Sequence, residues 1–95
     1  MSRRVVITGL GCVTPLGASP EALAAGLYAG RSGVARLTLF DASRFPVQIA
    51  AEVRDWDLSV VGLVPAEWQH CHRQTKFALG AGLQAAERAG LRAGS

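Results

Sequence analysis

The chain opens on a short unbroken apolar run, Val5-Val6-Ile7, set between Arg3-Arg4 and Thr8-Gly9. Consecutive β-branched side chains are stiff at χ1 and favour extended backbone. An unbroken run, rather than an alternating one, suits a strand covered on both faces. Residues 3–9 therefore read as a buried strand of an α/β sheet. Gly9, Gly11, Pro15 and Gly17 then mark a turn-rich stretch. Ser19-Pro20-Glu21 has the form of a helix start. The serine can accept from an early backbone N–H, and the proline fits the first helical position, where a donor is not needed. The glutamate complements the positive end of the dipole. A helix over 20–29 follows, with Leu23, Ala24, Leu27 and Tyr28 as its apolar stripe and Gly30 as its stop.

From Arg31 to Pro46 the pattern is loop, with a turn at Asp41-Ala42-Ser43. Residues 47–53 alternate, placing Val47, Ile49, Ala51 and Val53 on one face of a second strand. Residues 55–65 are polar and mixed, and Pro65-Ala66-Glu67 opens a further helical turn. The clearest helix covers 73–90. Its polar stripe is narrow (Arg73, Lys76, Gln84, Glu87 and Arg88), and Phe77, Leu79, Ala81, Leu83, Ala85, Ala86 and Ala89 fill the rest up to Gly90. A helix so apolar around its circumference belongs inside a larger body. Two strands cannot provide that cover. The expectation is the start of a larger α/β domain spanning 1–95, with no internal boundary.

Composition narrows the picture further. Of 95 residues, 49% are hydrophobic and 18% charged, which argues against disorder. No apolar run approaches the roughly 18 residues of a membrane span. The opening run is shorter than the roughly 7–15 residues of a secretory h-region, so a cytoplasmic protein is expected. The net charge is +3, yet the ten Lys and Arg residues are scattered and no aromatic alternates with them. Solvated surface charge explains them better than nucleic acid does. Cys12 and Cys71 do not make a disulfide framework.

Three constellations invite chemistry. Gly9-Leu10-Gly11-Cys12-Val13-Thr14 opens like a dinucleotide fingerprint, but Thr14 stands where the third glycine belongs and the helix is delayed to about Ser19. A structural turn is the simpler reading. His70-Cys71-His72 suggests a metal, but three consecutive residues of a helix cannot face one ion, and Cys12 is the only other cysteine. Polar residues at a helix edge explain it better. Neither cysteine is paired with a positioned base in the sequence, and Trp56 and Trp68 read as core-edge or subunit-contact anchors.

The run from Arg3 to Gly17 resembles the N-terminus of β-ketoacyl-acyl-carrier-protein synthases, closest to the type II elongating synthase of fatty acid synthesis and its type II polyketide relatives. Further matches follow in order: Leu27 to Gly33, Phe40 to Ser43, Ala50 to Val53, Arg73 to Leu79 and Ala85 to Leu91. The resemblance implies a thiolase-like α-β-α-β-α layered fold of which this chain is an incomplete N-terminal portion. It implies decarboxylative Claisen condensation of acyl and malonyl thioesters, with an acyl carrier protein as partner and a homodimer or heterodimer as assembly. The family's cysteine nucleophile and its two histidines lie downstream, so no catalytic, cofactor-binding or metal-binding residue is expected here. Cys12, Cys71, His70 and His72 match none of those positions.

Basic residues near the start of the last helix help dock the carrier in the family. Here Ala66, Gln69 and His70 stand where several of them occur, which leaves Arg73 and Lys76 as the possible carrier contacts. A histidine there would make docking pH-sensitive. The chain alone is expected to be inactive. The alternative from another class is a non-catalytic partner of the chain-length-determining type. No cofactor, nucleic acid or membrane is expected.

Overall fold

A computed structural model describes residues 3–91. The elements in chain order are α1 (Pro20–Tyr28), β1 (Val34–Arg36), β2 (Ile49–Ala51), two 3-10 helices (Leu58–Val61 and Pro65–Trp68) and α2 (Arg73–Arg88). They group into two units. One combines the N-terminal segment through Cys12 with the chain from Asp57 onward; the other is Val13–Trp56.

In the first unit the N-terminal segment lies against α2. A methyl group added to Gly9 would strike the Ala85 carbonyl oxygen and come within 2.7 Å of the Ala89 nitrogen. One added to Gly11 would strike the Ala81 carbonyl oxygen and come within 2.8 Å of the Ala85 nitrogen. Both glycines are thus required by close approach of backbone to backbone. Beside them, the Cys12 N–H donates to Gln84 Oε1 at 3.0 Å. Gln84 was expected on the polar stripe; instead it serves as a backbone acceptor and is half-buried. The 3-10 helix Leu58–Val61 packs on α2 as well. It is capped by the Asp57 carboxylate, which accepts from the Ser59 N–H at 2.8 Å, and it ends at Gly62 with φ +82°. Leu58, only 2% exposed, is the most buried large side chain among the described residues.

One expectation for this unit is corrected. Residues 3–9 form no strand, because no neighbouring strand among the described residues supplies ladder partners. Val5, Val6 and Ile7 are 95%, 70% and 81% exposed. Within α2 only Gly80 is buried, and its larger apolar side chains are half-buried at best. The helix boundaries agree with the expectation: Ala89 is the C-cap and Gly90 takes φ +78°.

In the second unit, Thr14 and Gly17 close a tight turn through Pro15 by reciprocal backbone bonds of 3.0 and 3.1 Å, reinforced by the Thr14 hydroxyl donating to the Gly17 carbonyl at 2.8 Å. The helix then begins as expected, with the Ala22 N–H donating to Ser19 Oγ at 3.1 Å and Pro20 at the first helical position. Its expected stripe is only half right. Leu23 and Ala24 are half-buried, but Leu27 and Tyr28 are 63% and 93% exposed, and Gly26 is the buried residue. β1 lies in the stretch expected to be loop. It pairs antiparallel with β2, with Val34 opposite Ala51, Ala35 opposite Ala50 and Arg36 opposite Ile49. β2 is shorter than the expected 47–53 because its partner offers only three residues; one further bond runs from Leu37 N–H to the Gln48 carbonyl at 2.8 Å.

The alternation of this stretch is visible in burial from Val47 to Glu52 and lapses at Val53, which is half-buried. Val47, Ile49 and Ala51 are exposed, whereas Gln48 and Ala50 are half-buried and Glu52 is buried.

The glycine seating gives a stability test. Gly11→Ala is expected to destabilise the folded protein by about 1–3 kcal/mol, the usual cost of overpacking, read as a lowered midpoint in thermal or urea unfolding. An unchanged midpoint would show that the segment does not rest on α2.

Candidate functional site

The sequence singles out the start of α2, and the structure brings its residues together. The chain leaves the 3-10 helix Pro65–Trp68 through a turn in which the Cys71 N–H donates to the Trp68 carbonyl at 3.0 Å. His72 is the N-cap of α2. Its backbone is extended and its carbonyl accepts from the Lys76 N–H at 3.1 Å, but its ring makes no capping bond. His70 and His72 are exposed and Cys71 is half-buried. All three therefore precede the helix, at its edge.

Arg73 and Lys76, one turn apart, occupy neighbouring positions on α2. The Arg73 guanidinium carbon sits 4.9 Å from the centroid of the Phe77 ring, a cation–π contact that steadies its charge. No acidic residue lies in the first turn. Two cations beside the positive end of a helix, with no acid and no side-chain cap, run against helix stability. The same features make a local surface suited to an anionic partner.

Cys12 and Cys71 are not joined in a disulfide and both are half-buried. Gly9 and Gly11 are committed to the close seating on α2, and α1 opens only at Pro20. The glycines therefore do not form a phosphate-binding turn at a helix start. Trp56 and Trp68 are half-buried. Among the described residues no group of three His, Cys, Asp or Glu converges on a metal-sized site, and no helix is long and apolar enough to cross a membrane.

The densest polar cluster is one the sequence reading missed. Glu52 is 6% exposed and its two carboxylate oxygens take four donors: the Thr38 N–H at 3.0 Å, the Thr38 hydroxyl at 3.1 Å, the Leu39 N–H at 3.1 Å and Arg54 Nη2 at 3.1 Å. Arg54 Nη2 also donates to the Arg36 carbonyl at 2.8 Å. Burial pushes the Glu52 carboxyl up, but the bonds from Thr38, Leu39 and Arg54 outweigh it and hold it below the ordinary value. The cluster ties the chain after β1 to the chain after β2. The available signal was an acid two residues from Arg54 at the end of an alternating stretch.

With this geometry in place, comparison with known proteins is decisive on family. The family model described as "Beta-ketoacyl synthase, N-terminal domain" matches residues 2–95. The 3-oxoacyl-[acyl-carrier-protein] synthase 2 of Coxiella burnetii is 61% identical over 59 residues, covering 62% of this chain and 14% of that protein. A Streptomyces halstedii protein provisionally named polyketide beta-ketoacyl synthase 1 is 44% identical over 91 residues, covering 96% of this chain and 21% of its own. A chain of the solved ishigamide ketosynthase/chain length factor superposes with a TM-score of 0.80 at 37% identity, covering 95% of this chain and 22% of its own. The chain belongs to the β-ketoacyl synthase family and has the thiolase-like α/β fold of the matching part of a ketosynthase. It spans between about a seventh and a fifth of the length of these relatives.

The Glu52 cluster sets an acid limit. A carboxyl whose folded value is depressed adds stability that is present above its unfolded value, about 4.3, and lost as pH falls through the lower folded value. Asp41, held down by the Ser43 N–H and hydroxyl, and Asp57, held down by the Ser59 hydroxyl and N–H, act in the same direction. Stability is expected to decline below about pH 4.3, and Glu52→Gln to be less stable than wild type at pH 7 with a weaker acid dependence. Urea titrations between pH 3 and 7 measure both; an acid branch unchanged in the variant would rule Glu52 out as its source.

Proposed function

We propose that the chain is the opening portion of a β-ketoacyl-acyl-carrier-protein synthase, an acyltransferase that condenses acyl and malonyl thioesters in fatty acid or polyketide synthesis. The observation that supports it is the joint match of sequence and fold along nearly the whole chain. In such a reaction a cysteine thiolate displaces the carrier thiol from an acyl thioester. Malonyl-carrier then loses carbon dioxide, and the resulting carbanion attacks the acyl-enzyme carbonyl and expels the thiolate. Two histidines assist decarboxylation and stabilise the oxyanion. This reading assigns all three of those groups to sequence downstream of the residues described above, and the apolar face left exposed at Val5-Val6-Ile7 to contacts with that same downstream body.

In this reading the start of α2 contributes to carrier docking. Arg73 and Lys76 present positive charge to the carrier, and the Phe77 ring steadies the guanidinium. The proposal includes a dimeric parent working in the cytoplasm without a cofactor. A second reading, a non-catalytic chain-length-determining partner, is favoured by one observation: the solved neighbour is a ketosynthase/chain length factor. The residue at the parent's nucleophile position separates them, a cysteine marking the enzyme and glutamine or another residue the partner.

Two outcomes are expected. The 95-residue chain alone, given acyl- and malonyl-carrier, forms no β-ketoacyl product above blank; product formation would place the catalytic groups within it. In the full-length protein, Arg73→Glu with Lys76→Glu raises the KM for carrier substrate about 3- to 10-fold, with kcat little changed, in line with the small energies of exposed charge pairs. A fall in kcat at constant KM would assign these residues to the chemistry rather than to docking.

A further inference from the structure

We propose that the start of α2 is a proton-tuned docking face, which holds an acidic carrier protein more tightly as pH falls from about 8 to about 6. The inference rests on the carrier-docking reading and adds its regulation. His70 and His72 are exposed, flank Cys71 and directly precede Arg73. Neither ring has a hydrogen-bond or ion-pair partner among the described residues. Histidine is the side chain whose charge ordinarily changes between pH 5 and 8. From Pro65 to Lys76 the fixed charges are Glu67, Arg73 and Lys76, a balance of +1, which becomes +3 with both imidazoles protonated. Protonation of the two rings would therefore raise the net charge offered to a partner from +1 to +3.

The neighbouring groups do not cancel this effect. On the segment itself, Cys71 lies between the rings and Arg73 is held over Phe77. The preceding 3-10 helix brings one acid, Glu67, which is exposed. The 3-10 helix packed on α2 brings Asp57, whose carboxylate is occupied by Ser59. The N-terminal segment seated on α2 brings Cys12. An acidic surface laid over the segment attracts an imidazolium more than a neutral ring, so binding and protonation favour each other reciprocally. Because both imidazoles, Glu67 and Arg73 are exposed and Lys76 is only half-buried, the effect is modest and screened by salt.

The test measures the dissociation constant of the full-length protein for a purified acyl carrier protein between pH 6 and 8 at low and high salt. The expected result is about 3- to 10-fold tighter binding at pH 6 than at pH 8 at low salt. His70→Gln with His72→Asn is expected to flatten this slope while leaving affinity at pH 8 within about twofold, since neutral rings add little charge there. Wild-type binding independent of pH, or an unchanged slope in the double variant, would overturn the proposal. If Arg73→Glu with Lys76→Glu leaves carrier affinity unaltered, the docking reading itself fails and this inference with it. A pH effect abolished only in the histidine variant, with the charge reversal also weakening binding, supports both.

Discussion

The first unit depends on backbone approaching helix without side chains between them. An extended chain advances about 3.3 Å per residue and an α-helix about 1.5 Å. Two steps of the segment therefore match four steps of the helix. Gly9 meets Ala85 and Ala89, and Gly11 meets Ala81 and Ala85, so glycine at every second position faces alanine at every fourth. Any side chain at either glycine would occupy space filled by α2 backbone. Beside the seating, Gln84 supplies from the helix an acceptor for the Cys12 N–H. Close packing and backbone satisfaction are thus solved by one face of α2.

The second unit meets a different constraint, a carboxylate removed from water. Such a charge is costly unless hydrogen-bonded. Glu52 is fully engaged by donors from two backbone amides, a hydroxyl and a guanidinium. Hydrophobic surface does not organise this corner, since Val34, Ile49 and Val47 stay 51%, 58% and 64% exposed around it. The polar cluster therefore fixes the path of the chain beyond β1 and β2, where a two-stranded ladder of three pairs would be weak alone.

Helix starts and stops were legible in the sequence because they are written in local chemistry. Ser19-Pro20 caps α1, and Gly30 and Gly90 take the positive φ that ends each helix. The family was legible too, through ordered matches from Arg3 to Leu91. The strand readings erred where the decisive partner is remote. Val5-Val6-Ile7 has the composition of a buried strand, yet a ladder depends on a neighbour that no local pattern specifies. The alternation at 47–53 showed two faces but not which one turns inward, because Glu52 is buried by donors fourteen residues away in sequence. Gln84 looked like a solvent-facing residue for the same reason: its partner lies 72 positions earlier.

The start of α2 departs from the consistency seen elsewhere. α1 begins with a side-chain cap and an acid in its first turn; α2 begins with neither, and has two cations and two imidazoles in their place. Its sixteen residues tolerate a poor beginning because packing against Gly9, Gly11 and the Leu58–Val61 helix supports its later turns. The end that is weakest by helix rules is the end richest in exposed positive and titratable groups. Conflicts between local rules and observed residues concentrate at functional sites, and this is the conflict on which the docking proposal rests.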